Sequence, residues 1–221
     1  MSAPGIDPAG VSLLVIAKEP RPGHAKTRLI PDLGDEGAAA VARACLEDTL
    51  GAVVDAPAAE RVLILDGEPG DWLPDGFRVI PQREGGLAAR LAGAFEDSGA
   101  APAMLVGMDT PQVSGGLLGE AIDRLCEPGA DAVLGPASDG GWWAIGLRAS
   151  DPRVFDGVPM SAGDTGERQR ERLRELGLSW SELEQLRDVD TVEDLRAIAA
   201  SSPWTRAAAA LWELERAGAR G

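Results

Sequence analysis

The sequence predicts an α/β fold, a three-layer α/β/α sandwich around a mostly parallel sheet, and three observations carry that expectation. Short β-rich apolar runs alternate with helix-length amphipathic segments. The runs are apolar at nearly every position rather than at every second one, as strands covered on both faces require. Loops rich in charge or glycine follow several of the runs, and in open α/β sheets such loops gather where ligands bind. A chain of 221 residues is long enough to bury the core of one such domain. We expect one domain over 1–201 and a helical appendage over 202–221.

Strands are expected at 11–17 (VSLLVIA), 61–66 (RVLILD), 77–81 (FRVIP), 103–108 (AMLVGM), 131–136 (DAVLGP) and 142–147 (WWAIGL). Helices are expected near 35–54, 87–97, 114–126, 164–176 and 191–200. Asp35 can cap the first, where Val41, Cys45 and Leu46 recur at helical spacing. In TVEDL, Thr191 can cap while Asp194 supplies the returning carboxylate of a capping box. The last helix is read from Ser202 as cap and Pro203 as first residue to Gly218 near its end.

Composition narrows the partners. The net charge is −15, which disfavours nucleic acid and anionic membrane surfaces while allowing a small anion at one local basic site. No apolar run approaches the roughly 20 residues of a bilayer span, so a soluble, cytoplasmic protein is expected. Cys45 and Cys126 lack the paired spacing of a zinc site or disulfide framework and read as buried reduced thiols.

Four segments carry candidate chemistry. In AKEPRPGHAKTRLIP, Lys18, Arg21, His24, Lys26 and Arg28 are opposed only by Glu19, directly after the first strand. Lys18, Arg21, Lys26 and Arg28 are therefore candidate phosphate ligands, although such a run also reads as a solvated charged loop. It is not a P-loop, because Pro20 and Ala25 stand where that motif needs Gly. In LVGMDTPQV, Pro111 stops the strand with Asp109 at its tip. A tip carboxylate facing phosphate suits Mg²⁺ or Mn²⁺, and equally a turn cap. In RDVDTVEDL, Asp188 and Asp190 alternate onto one side of an extended segment, as metal ligands or as charges favoured by a helix N-terminus. In GPASDGGWWAIGL, Asp139, Gly140 and Gly141 form a turn between strands that can face a sugar or acceptor, and of Trp142 and Trp143 one faces the core and the other is free to stack on a ring. His24 alone cannot form a His-based metal site, and no Gly-x-Ser-x-Gly nucleophile elbow is present.

In this order, the four segments resemble the bacterial GT-A-like glycosyltransferases of the arsenosugar-biosynthesis type, over about residues 12–196. The resemblance implies the nucleotide-diphospho-sugar transferase fold. It implies Lys18, Lys26 and Arg28 as phosphate contacts, Asp109 as metal ligand with Asp190 as partner and Asp188 second, and the Asp139–Trp142 segment facing sugar or acceptor. The Lys-x-Arg-Leu segment at 26–29 also looks like that of phospholactate guanylyltransferases. Gly86 and the 159–166 segment depart from the family pattern. The expected function is glycosyl transfer from a nucleotide-diphosphate sugar to an unknown acceptor, with Lys26, Arg28 and a metal on Asp109 neutralising the departing diphosphate. The alternatives are nucleotidyl transfer to a phosphorylated small molecule with release of pyrophosphate, and a catalytically silent nucleotide-binding protein.

Overall fold

The computed structural model describes residues 5–219. Seven strands form one sheet: β1 (Ser12–Lys18), β2 (Arg61–Asp66), β3 (Phe77–Pro81), β4 (Ala103–Gly107), β5 (Ala132–Pro136), β6 (Trp142–Leu147) and β7 (Trp180–Glu182), in the order β3-β2-β1-β4-β6-β5-β7. β6 runs antiparallel to its neighbours β4 and β5, and every other pair is parallel. The fold is thus the expected mostly parallel α/β sheet. All carboxyl ends except that of β6 lie along one edge.

Helices cover both faces, which is why β1, β2, β4, β5 and β6 are apolar along most of their length, while the edge strands β3 and β7 are not. On one face, α1 (Ile30–Asp55) and α3 (Gly115–Cys126) bury Leu46, Leu50, Leu118 and Ile122 against Leu13, Val15 and Val106. On the other, α2 (Leu87–Ser98), the turn Pro152–Phe155 and α4 (Thr165–Glu175) bury Leu91, Phe95, Phe155 and Leu173 against Leu14, Ile64 and Leu105. α5 (Val192–Ser201) and α6 (Arg206–Gly218) close over the outer side of α1, where Val41 and Cys45 meet Leu195, Ile198, Ala208 and Leu211.

Three local differences from the sequence reading have physical causes. β7 was not anticipated, because its three residues WSE carry no apolar run and pair only as an edge strand. α6 starts after Thr205 rather than Ser202: the Ser202 amide still closes α5 on the Ile198 carbonyl, while Thr205 Oγ1 accepts from the Ala208 amide. α1 begins five residues before Asp35, and its first turn is set off by Gly34 at φ 69°. The Thr191–Asp194 capping box is formed as expected. Cys45 and Cys126 are free and buried. Among the described residues no helix is long and apolar enough to cross a membrane.

Candidate active site

From β1 the chain moves outward to β2 and β3, then returns to place β4 on the other side of β1. That reversal makes the β1/β4 junction the switch point at which open α/β sheets leave a crevice. A cleft of about 600 Å³ opens there. Its walls come from the loop after β1, the tip of β4, the β5–β6 turn, the 160–165 segment and the chain after β7.

The cation loop folds inward by one residue. Lys26 adopts the left-handed conformation at φ 50°, an uncommon geometry for a side-chain-bearing residue, costing about 1 kcal/mol. That turn drives its side chain, only 5% exposed, under the β4 tip. There Nζ meets Asp109 Oδ1 at 2.5 Å and donates to the Val189 carbonyl. Burial pushes the Lys26 pKa down, but Asp109, with help from Asp190, more than offsets it, so the net shift is upward and the ammonium stays charged. The Val189 amide donates back to the Asp109 carbonyl at 2.8 Å. The segment carrying Asp188 and Asp190 is therefore tied to β4. Behind Lys26, burial pushes the Cys45 thiol up to about 12, so it remains neutral.

Val189 is buried while Asp188 and Asp190 both line the cleft, the alternation the sequence suggested. Their surroundings differ. Asp190 pairs with Arg28 at 2.8 Å. Asp188 Oδ1 is buried with no hydrogen-bond partner. Burial first, then the charges of Asp109 and Asp139, push the Asp188 carboxyl up to about 7, against the opposing pull of Lys26.

The remaining sequence candidates divide. Lys18, Asp139, Gly141 and Trp142 line the cleft. Asp139 Oδ1 accepts from the Gly141 amide at 2.8 Å, so the turn is both a hairpin and a cleft wall. Gly140 lies behind that wall at φ 90°, so close to the 163 backbone that a Cβ would stand 1.9 Å from the Gly163 carbonyl oxygen. Arg21 lies outside the cleft, paired with Glu19 at 3.3 Å. Trp143 is the core member of the Trp pair, donating to the Glu184 carbonyl at 3.0 Å.

Sequence reasoning missed Gln82 and Arg90 and set His24 aside, yet all three line the cleft. Gln82 Nε2 donates to the Ala17 carbonyl at 2.6 Å and the Ile64 carbonyl at 3.2 Å, clamping the ends of β1 and β2. Arg90 Nε donates to the Gly85 carbonyl at 3.0 Å, with Asp66 3.6 Å away. His24 Nε2 lies 3.2 Å from the Asp66 carbonyl. The usable signal was position: Gln82 follows β3 directly at the edge where ligands gather.

A divalent ion fits this site on one condition. Among the described residues no group of three or more His, Cys, Asp or Glu side chains is placed to hold a metal alone. The orphaned Asp188 oxygen and the half-exposed Asp109 suit an ion that takes one or two carboxylates and completes its shell with substrate oxygens and water.

A family model described as "Uncharacterized protein conserved in bacteria (DUF2064)" matches residues 46–162, more than half of the chain. The chain belongs to this family. The DUF2064 match takes in Asp109 and the Asp139–Trp142 turn, and leaves the cation loop and Asp188 outside its bounds. No curated protein matches the chain in sequence. A crystal structure from Desulfovibrio desulfuricans G20, provisionally assigned as a nucleotide-diphospho-sugar transferase, is 29% identical, with TM-score 0.82 over 94% of this chain and 96% of that one. A cytidylyltransferase from Leptospira borgpetersenii is 14% identical, with TM-score 0.54 over 95% of each chain. A CMP:2-keto-3-deoxy-manno-octonic acid synthetase complexed with CTP is 14% identical, with TM-score 0.53 over 86% of this chain and 98% of that one. The last two share the fold alone. The fold is thus nucleotide-diphospho-sugar transferase-like; the finer resemblances to arsenosugar-type and guanylyltransferase families rest on the four sequence segments.

Proposed function

We propose that this protein is a divalent-cation-dependent glycosyltransferase that uses a nucleoside-diphosphate sugar as donor. The observation that carries the reading is the buried Lys26 ammonium, held between Asp109 and the Val189 carbonyl at the switch point, with an unpartnered Asp188 oxygen beside it. Such a site has fixed positive charge for a diphosphate and spare carboxylate for its counter-ion. The 29% identical nucleotide-diphospho-sugar transferase-like structure supports the choice of donor.

In the reaction, the acceptor hydroxyl oxygen bonds to the anomeric carbon as the bond from that carbon to the diphosphate oxygen breaks. The electron pair leaves with the nucleoside diphosphate, and the hydroxyl proton passes to a carboxylate of the cleft or to solvent. Lys26, with Lys18 and Arg28 at the mouth, stabilises the charge growing on the leaving group. Mg²⁺ or Mn²⁺, held by Asp109 with Asp188 or Asp190, would supply further charge neutralisation. Asp139, Gly141 and Trp142 face the transferred sugar or its acceptor. The net charge of −15 supports a small-molecule partner over nucleic acid.

One observation favours a second reading. Lys26 and Arg28 both reach the cleft from a single Lys-x-Arg-Leu loop, which also suits a triphosphate. Nucleotidyl transfer to a phosphorylated acceptor would then release pyrophosphate. A thermal-shift panel of nucleoside triphosphates and nucleotide sugars, with and without Mg²⁺ or Mn²⁺, followed by product analysis, separates the readings. A ligand at 100 times its Kd adds about 2.7 kcal/mol. Released nucleoside diphosphate supports glycosyl transfer, pyrophosphate the second reading, and binding without turnover a silent nucleotide-binding protein. If no nucleotide raises the melting temperature with either metal, the phosphate site is wrong. Metal-dependent binding unchanged in Asp109→Asn would remove Asp109 from it.

A further inference from the structure

The cleft changes character along its length. Toward β2 and β3 its lining includes hydrogen-bonding groups, Gln82 and Arg90 in front of Asp66, beside Leu87 and Leu91 of α2. Toward β6 the side chains of Ile16, Leu105, Trp142 and Met160 line it together with Gly107, with Asp139, Ser161 and Thr165 as its polar lining. The four apolar side chains belong to the hydrophobic cluster on the α2 and α4 face of the sheet. Ile16 and Gly107 are register partners across β1 and β4, so the bare glycine lies at the switch point itself.

Gly107 is not required by its backbone, because it is not among the residues of positive φ. What it supplies is room: a Cβ built there meets no atom within 4 Å. At the edge of this compartment Trp142 Nε1 is a buried donor without a hydrogen-bond partner. Asp109 follows Gly107 by two residues, so a group seated over the glycine adjoins the phosphate end of the cleft.

We propose that this compartment receives an uncharged, apolar part of the acceptor, a ring or a short branched hydrocarbon bearing the hydroxyl that is glycosylated. The proposal rests on the glycosyl-transfer reading above. A phosphate seated among Ile16, Leu105 and Met160 would be desolvated without a cation to pair with. A nucleobase carries several donors and acceptors that the Gln82 and Arg90 end can meet, whereas this end offers the Trp142 N–H and the exposed Ser161 hydroxyl, Thr165 Oγ1 being bonded already to the Pro159 and Ala162 carbonyls.

The chain has four methionines, so methyl-¹³C methionine spectra are simple, and Met160 reports on the compartment directly. Benzyl alcohol is expected to move the Met160 resonance, with or without UDP, GDP or ADP and Mg²⁺, whereas glycerol or inorganic phosphate at equal concentration leaves it in place. Gly107→Val, which fills the space, weakens benzyl alcohol about tenfold or more and leaves nucleoside-diphosphate affinity within about twofold. Gly107→Ala gives a smaller loss in the same direction and stands in if the valine variant does not fold. The proposal is overturned if benzyl alcohol leaves Met160 unmoved, binds equally well in the filled variants, or is expelled by a nucleoside diphosphate, which would give the compartment to the base. Failure of the donor reading looks different: no diphosphate binds, and the Met160 response to benzyl alcohol is intact.

Discussion

Two partly buried aspartates on this molecule have the same problem and opposite solutions. Asp48 on α1 has a side chain only 8% exposed, and burial pushes its pKa up. It is answered by partners: the Arg206 and Ala207 amides each donate to it at 3.0 Å, which starts α6 and fixes that helix on α1. Asp188 at the cleft is pushed up by burial too, but Asp109 and Asp139 add to the shift and one of its oxygens has no partner. A carboxylate kept for structure is surrounded by donors. Asp188 is left short of them, and under the proposed function a bound cation would relieve the shortfall.

The strongest way to break this contrast is Lys26→Met, which removes the buried cation that pairs with Asp109. Catalysis is expected to fall by about 10²–10³-fold, the usual cost of removing a preorganised group at developing charge. Stability is expected to fall by about 1–3 kcal/mol, since Asp109 and the Val189 carbonyl both lose their partner while Asp109 retains solvent. Steady-state rates and urea melts check both, and an active, equally stable Lys26→Met variant would end the argument for this site.

Asp188→Asn sharpens the contrast through pH. The Asp188 carboxyl is raised to about 7 from an ordinary 3.8. Between those values the folded state holds a proton that the unfolded chain has released, so the Asp188 contribution to stability is fully present at low pH and is lost as pH rises through about 7. Removing the charge should flatten that slope and raise stability at pH 8 by on the order of 2–4 kcal/mol, while reducing metal-dependent nucleotide binding. Denaturant melts across pH 4–8 are the check; an unchanged slope would mean that Asp188 is not strained.

Much of this was legible in the sequence, for reasons the structure makes plain. Strands covered on both faces must be apolar throughout, so β1, β2, β4, β5 and β6 declared themselves. The alternation of Asp188, Val189 and Asp190 placed two carboxylates on one side because Val189 had to be buried. Pairing was not legible: Arg28 and Asp190 are 162 positions apart, and nothing local says that they meet. Nor was the inward turn of Lys26, because a left-handed lysine is imposed by tertiary contacts against its own preference. Gln82 escaped notice because a single polar residue in a loop carries no period, and Arg90 because a lone cation on an amphipathic helix reads as part of its solvated face.

The structural aspartate gives the matching control. Asp48→Ala removes two amide caps from the first turn of α6 and should cost about 1–2 kcal/mol in urea melts. The nucleotide-induced rise in melting temperature should stay as in the parent, because α6 is not among the elements that line the cleft. Loss of nucleotide binding in this variant would show that the two carboxylates are not separable roles.

The smallest effect tests the cation loop, where charge and position disagree. Arg21 and Arg28 sit in one basic run, yet Arg28 lines the cleft and Arg21 is 57% exposed against Glu19 outside it. An exposed pair of this kind is worth little, so Arg21→Ala should change stability by less than about 0.5 kcal/mol and nucleotide affinity by less than about twofold. Arg28→Ala should weaken nucleotide binding more, and more so at low salt, because its charge acts at the cleft mouth, where screening is partial. Equal losses from the two substitutions would mean that the run acts as a diffuse field, and that the direction in which the loop turns has no part in holding phosphate.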